Sequence, residues 1–203
     1  MTTKAPRVIL ISSLSGPQSG KSTLAGYFHE QQGYVPISFA SPIKRMISTL
    51  LEEWYGGVPD EEAIVDRVYG SRKEEPIPGL GDGTVTTRRL LQTLGTEWRE
   101  MIDRDLWVKI AIENAKAMLR CGYGVVIDDL RFAHEYQLFK QAFGDSLMHI
   151  AVTRPCQLYQ QVSHVSEDTS WITPENLDAS LINDKGVDEL TQQAQAVLNN
   201  WGR

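Results

Sequence analysis

Cysteine is scarce. The 203 residues include two, Cys121 and Cys156, which make no disulfide framework and point to a reducing cytoplasm. No apolar run is long enough to span a membrane. A cleavable leader is also excluded, because the short apolar stretch after Arg7 leads straight into a glycine-rich loop, and cleavage there would remove the strand that the loop needs. There is no excess of positive charge: 20 Lys plus Arg stand against 26 Asp plus Glu, a net charge of -6. Such a surface does not invite nonspecific nucleic-acid binding, and the local basic clusters at Lys44-Arg45 and Arg88-Arg89 equally suit a small phosphorylated substrate. Repeats, low-complexity tracts and zinc-ligand spacings are absent. His164, Ser166 and Glu167 lie too close together on one loop to form a nucleophile–base–orienter relay, which needs separate supports.

What is present begins near the amino terminus. Arg7 to Ser12 reads as a buried strand, Ser15-Gly-Pro-Gln-Ser-Gly-Lys-Ser22 as a phosphate loop, and Thr23 onward as a helix. Small residues let backbone N–H groups turn inward around a phosphate. Lys21 reaches the β and γ phosphates, the Ser22 hydroxyl ligates Mg²⁺, and the helix adds its positive end. Ser15 stands where the pattern has its first glycine, which serine tolerates if the backbone there is not left-handed. The motif implies nucleoside triphosphate binding and is silent on the fate of the γ-phosphate.

At 41% hydrophobic and 23% charged residues, the chain suits one globular core, read as a single domain over 1–203. The pattern predicts strands at Tyr34–Phe39, Tyr123–Asp128, Leu147–Thr153 and Ala179–Ile182, with Pro36 marking an edge. A helix is expected from Ser41, as cap, with Pro42 in its first turn. The stretch 56–87 reads as a loop bordering a substrate site or a solvated excursion. Helical spacing resumes at Thr87, is interrupted at Gly95, and restarts with Thr96 as cap. Further helices are expected at Leu106–Leu119, Ala133–Phe143 and Val187–Trp201, and the tryptophans in helical patterns (Trp54, Trp98, Trp107, Trp201) are assigned to the core. The fold class is therefore α/β: a three-layer parallel sheet of about five strands with helices on both faces, a helical substrate-binding insertion at about 42–105, and a short lid at about 154–178. Ligands then sit beyond the carboxyl ends of the strands.

Two further groups carry chemistry. Val125-Val-Ile-Asp-Asp-Leu-Arg131 runs an apolar strand into two acids. If both stay strand-like, only one of Asp128 and Asp129 faces the loop, where a carboxylate holds Mg²⁺ or its water shell. Arg131 is placed to clamp transferring phosphoryl oxygens or, alternatively, to form a surface salt bridge. Arg88 and Gln92, four apart, share a helical face suited to a phosphate and a base edge. Past the break at Gly95, helical spacing does not locate Arg99, and Glu97 either touches substrate or pairs with an arginine.

These segments resemble the bacteriophage deoxynucleoside monophosphate kinase family, within the phosphate-loop nucleoside monophosphate kinases. The resemblance is carried by Leu14–Thr23, Phe39–Lys44, Arg88–Glu97 with Arg99 and Trp107-Val108, Ile127–Phe132 with Glu135, Thr153–Pro155, His164 with Ser166-Glu167, and Ile182–Asp184. It departs at Ser15 and at His134, where asparagine is expected. It implies transfer of the ATP γ-phosphate to a deoxynucleoside 5′-monophosphate with Mg²⁺, leaves a homodimer open, and implies the cytoplasm of the infected bacterial host for a phage-encoded chain. By this resemblance Lys21, Arg88, Asp129, Arg131 and Arg154 carry the transfer. Ser15, Gly16, Pro17, Gln18, Ser19, Gly20, Lys21, Ser22 and Thr23 hold ATP, with Asn183 and Asp184 near the adenine edge. Lys44, Arg88, Gln92, Thr96, Glu97, Arg99 and Arg131 serve the monophosphate, and Ser22 with Asp129 serves the metal. Two alternatives remain: a kinase for another small metabolite, and a nucleotide-responsive binding protein without transfer.

Overall fold

The computed structural model describes residues 5–16, 18–57, 61–155 and 169–201. The chain divides into two compact units, one of Met1–Ser38 with Ala111–Arg203 and one of Phe39–Ile110.

The first unit is built on a five-stranded sheet in the order β2-β3-β1-β4-β5: β1 Val8–Ser13, β2 Val35–Pro36, β3 Val125–Ile127, β4 Leu147–Thr153 and β5 Ala179–Ile182. Every pairing is parallel, with Val8 of β1 opposite both Val125 and Leu147. Strands covered on both faces read as continuous apolar runs, which is why Val8-Ile-Leu-Ile11 shows no alternation. The helices are α1 (Lys21–Gln32), α5 (Leu106–Arg120) from Ala111 onward, α6 (Ala133–Phe143) and α7 (Val187–Asn200). Leu24 and Phe28 of α1 and Leu190 and Ala194 of α7 pack with Ile9, Ile11, Met148 and Ile150 into one core. Pro36 lies on the edge strand, where a missing N–H costs no internal ladder bond. That strand is two residues long, not the expected six.

The second unit is helical: α2 (Ser41–Trp54), α3 (Glu61–Val68) and α4 (Thr87–Met101), with a 3₁₀ turn at Ser71–Glu74. Its core joins Ile43, Ile47 and Leu51 to Ile64, Val68, Ile77 and Trp107. Four expectations change here. The cap of α2 is Ala40, with Ser41 already in the first turn. The stretch after α3 is pinned: Ile77 is fully buried, Pro76 bridges Thr86, and Arg67 donates to the carbonyls of Glu75 and Pro76. Trp54 and Trp98 are 45% and 38% exposed, outside the core proper. Finally, α4 runs unbroken through Gly95 from a Thr86 cap that accepts from the Arg89 N–H, so Thr96 caps nothing. A mid-helix glycine costs about 1 kcal/mol. Packing outweighs it, because the Trp107 indole donates to the Gly95 carbonyl at 3.3 Å. Among the described residues, no helix is long and apolar enough to cross a membrane.

Candidate functional site

In the first unit the phosphate loop leaves β1 at Ser13. The Ser13 hydroxyl donates to the Gly16 carbonyl at 2.7 Å and accepts from the Ser15 N–H at 3.2 Å, which closes the first bend. Gly16, Gln18 and Gly20 have left-handed φ of 79°, 60° and 109°, and Ser15 does not, so serine is tolerated there. Its side chain also has a use: the Ser15 hydroxyl accepts from the Arg154 N–H at 2.8 Å. Pro17 lies outside the described residues, as do His164, Ser166, Glu167 and Cys156. Helix α1 opens on Gly20 with no side-chain cap. Its first N–H groups are thus left for an external acceptor, and the helix dipole favours an anion there.

Lys21 follows, half-buried. Burial pushes its ammonium below the ordinary lysine value; Asp128 opposes that shift, Arg131 adds to it, and Asp129 opposes it again. Two cations and two carboxylates therefore share this corner. Strand β3 ends at Ile127, so both aspartates lie beyond its paired residues and the alternation argument does not decide between them. Hydrogen bonds separate them instead. The Ser22 hydroxyl donates to Asp128 Oδ2 at 2.7 Å, and the Ser38 hydroxyl donates to Asp129 Oδ2 at 2.7 Å. Buried Glu135 accepts from the N–H groups of Arg131 and Phe132 at 2.8 and 3.0 Å, fixing the backbone from which Arg131 projects. The Trp171 indole donates to the Arg131 carbonyl at 3.2 Å.

Asn183 is buried, and its amide donates to the Ser19 carbonyl at 2.8 Å. That spends one of its N–H donors on the loop. Asp184 is exposed. Ser12, Ser13, Ser38, Trp171 and His149 had no motif to reveal them. Their partners lie up to 137 positions away, as for Ser12 and His149.

In the second unit the continuous α4 does locate Arg99. Arg88, Gln92 and Arg99 are separated by four and seven positions and lie along one stripe of the helix. Arg88 and Gln92 are exposed, as are Thr96 and Glu97. The Arg88 guanidinium binds Glu74 at 2.7 Å. Lys44 sits with its ammonium 5.1 Å from the centre of the Tyr69 ring. Burial, then the charges of Lys44 and Arg88, hold the Lys73 ammonium below its ordinary value, so three cations share this surface. The sequence pointed to Lys44 and Arg88; Lys73, in a charged run, had no distinguishing signal.

No cluster of three or more His, Cys, Asp and Glu among the described residues is arranged to cage a metal. Mg²⁺ beside phosphates needs no such cage, since one or two protein oxygens suffice. Ser22 and Asp128 supply a hydroxyl and a carboxylate of that kind, within hydrogen-bond distance of each other.

The model of the deoxynucleotide monophosphate kinase family matches residues 74–194. A curated protein of Acanthamoeba polyphaga mimivirus, provisionally named a deoxynucleotide monophosphate kinase, is 27% identical over 213 aligned positions, covering 95% of this chain and 97% of that one. Among solved structures, an APS kinase of Mycobacterium tuberculosis with bound AMPPNP and APS is 17% identical with a TM-score of 0.48, covering 97% of this chain and 99% of its own. A gluconokinase from Sinorhizobium meliloti is 14% identical with a TM-score of 0.46, covering 97% of this chain and 93% of its own.

Proposed function

The chain belongs to the deoxynucleotide monophosphate kinase family and is a nucleotide kinase, and we propose that it moves the γ-phosphoryl group of ATP to a deoxynucleoside 5′-monophosphate, giving ADP and the diphosphate. One observation carries the donor side of this reading: the uncapped start of α1 at Gly20, with Lys21 and Ser22 in its first turn and Asp128 bonded to Ser22. The loop N–H groups and Lys21 hold the β and γ oxygens. The Arg131 charge disfavours the Lys21 charge in the free protein. A polyanion between them converts that repulsion into two attractions.

An oxygen of the acceptor's phosphate attacks the γ phosphorus, and the bond from that phosphorus to the bridging oxygen breaks, leaving ADP. No side-chain nucleophile is required; positioning and charge do the work. Charge spreads over the equatorial oxygens, where the Arg131 guanidinium stabilises it more than in the ground state. Mg²⁺, when bound, neutralises β and γ oxygens. In this proposal Ser22 and Asp128 hold it, and Asp129, bonded to Ser38, orders the turn that carries Arg131. The acceptor is taken by Lys44, Arg88 and Lys73 at its phosphate, and by Gln92 at its base or sugar.

The test is ADP formation from ATP in the presence of each common deoxynucleoside monophosphate. ADP formation should require such an acceptor. ADP released equally without any, or only with an unrelated phosphorylated metabolite, overturns the proposal.

A further inference from the structure

We infer that Asn183 is a positioning residue of the phosphate loop: its side-chain amide sets which way the Ser19–Gly20 peptide faces, and so aims the Gly20 N–H at the nucleotide's phosphates. The inference rests on the reading that this loop holds a nucleoside triphosphate.

Asn183 is the first residue after β5. Its own N–H donates to the carbonyl of Thr153, the last residue of β4, at 2.8 Å. Its backbone is therefore held by the sheet and does not drift with the loop. The side chain is buried, and its Nδ2 donates to the Ser19 carbonyl oxygen at 2.8 Å across 164 positions of sequence. The peptides of the described residues are all trans. In a trans peptide the C=O and the following N–H point in opposite directions. Drawing the Ser19 carbonyl toward Asn183 therefore turns the Gly20 N–H to the other side of the peptide, away from Asn183. Released from Asn183, the same peptide is free to rotate and present the negative end of its dipole to an anion instead.

Three features fit this role. The Ser19 hydroxyl is buried and has no hydrogen-bond partner among the described residues, so the carbonyl is the polar tether of Ser19. Gly20 has a φ of 109°, which favours glycine, and a Cβ there would run into the Asn183 amide and displace it. The Cδ2 atom of Leu190 in α7 lies 3.4 Å from where that Cβ would stand, so an apolar wall closes the seat. Asn183 holds the loop by one directed, buried bond, and such bonds fix geometry more strictly than exposed ones.

The test compares wild type with Asn183→Ala, which removes the donor, and Asn183→Asp, which keeps the shape and sets an acceptor against the Ser19 carbonyl. Binding of ATP and of inorganic tripolyphosphate is measured well below each protein's melting midpoint, and the Gly20 amide resonance is followed by NMR. Both ligands should weaken together by about tenfold or more in either variant, the factor expected for one lost bond to a charged oxygen. The ligand-induced shift of the Gly20 amide should shrink, while the KM of the acceptor stays unchanged. If Asn183→Ala does not fold, Asn183→Asp with the Gly20 resonance carries the test. Weakening of ATP alone, with tripolyphosphate unaffected, overturns the inference and returns Asn183 to a contact with the base. A lower melting temperature with unchanged affinities also overturns it. Failure of the wild type to bind either ligand would remove the reading of the loop, and this inference with it.

Discussion

The two units hold their charged groups in opposite ways. In the sheet unit the polar side chains reach partners across long stretches of chain: Ser22 to Asp128 over 106 positions, Ser38 to Asp129 over 91, and Asn183 to the Ser19 carbonyl over 164. In Phe39–Ile110 Arg88 lies nearer water and is paired to Glu74, both partners about half or more exposed at 49% and 68%. An exposed pair of this kind is worth little, so in the proposed reading a substrate phosphate would replace Glu74 on Arg88 at small cost. In the proposed reading the first arrangement would be preorganised for charge that develops during reaction, and the second would be an adaptable grip on the acceptor. Substitutions in the first should act on turnover or on the grip on nucleotide and metal, and substitutions in the second on acceptor saturation.

The sharpest way to break that contrast is Lys21→Ala. The lysine is half-buried beside Asp128 and Arg131, and removing a positioned charge from such a site should lower turnover at least about tenfold. Folding should survive, as checked by circular dichroism alongside the assay of deoxynucleoside diphosphate. Arg131→Ala should lower turnover more than ATP affinity. A Lys21→Ala enzyme that kept near-normal turnover with a raised acceptor KM would reverse the roles of the two units.

The carboxylates sharpen the comparison within the sheet unit. Because Asp128 accepts from Ser22 while Asp129 accepts from Ser38, Asp128→Asn should raise the Mg²⁺ concentration for half-maximal rate several-fold, on the order of one lost charge-assisted contact. Asp129→Asn should raise it much less. A Mg²⁺ titration of the two variants decides the matter, and the opposite ranking would return the metal to Asp129.

In the helical unit, Arg88→Ala should raise the KM of every acceptor by roughly tenfold with ATP affinity intact, because each acceptor carries the same phosphate. Gln92→Ala should change the ranking among bases instead. Steady-state kinetics with several deoxynucleoside monophosphates separates these outcomes. Loss of ATP affinity with normal acceptor saturation in both variants would dissolve the distinction between the units.

The same contrast explains what the sequence made legible. The phosphate loop is local: strand, small residues, lysine and helix follow one another within Val8–Gln32, so pattern alone reveals it. Strands β4 and β5 and helix α6 have the bounds that the sequence pattern predicts. Gly95 misled because a helix-breaking propensity of about 1 kcal/mol is smaller than what packing supplies, here through Trp107 and the neighbouring Ile43. The different partners of Asp128 and Asp129 were not legible, since they are hydroxyls from two distant segments, Ser22 and Ser38. The seat of Asn183 under Ser19 was hidden for the same reason. Sequence displays a motif whose parts are neighbours in the chain and conceals bonds whose parts meet only after folding.

The smallest expected effect concerns the buried imidazole of His149. The ring is fully buried on β4. The Asn176 carbonyl, 2.6 Å away, can only accept, so Nδ1 carries the proton and Nε2 accepts from the Ser12 hydroxyl at 2.9 Å. Trp171 stacks on the ring at 5.6 Å and Tyr136 lies at 5.1 Å. Burial pushes the imidazole below its ordinary value, more than the Asn176 carbonyl and the nearby Asp178 carboxylate raise it. The folded chain therefore keeps His149 neutral, while the unfolded chain protonates it near pH 6.5. Between the depressed folded value and about 6.5 the unfolded state binds more protons, so stability rises with pH there and is fully present above that window. The melting temperature should accordingly fall between about pH 7 and about pH 5, by about 2–4 °C for each kcal/mol lost. His149→Gln lacks the titrating ring. It should melt lower overall, with a flatter slope over the same interval. An equal slope in both proteins would assign the acid loss to carboxylates and leave His149 with a packing role only.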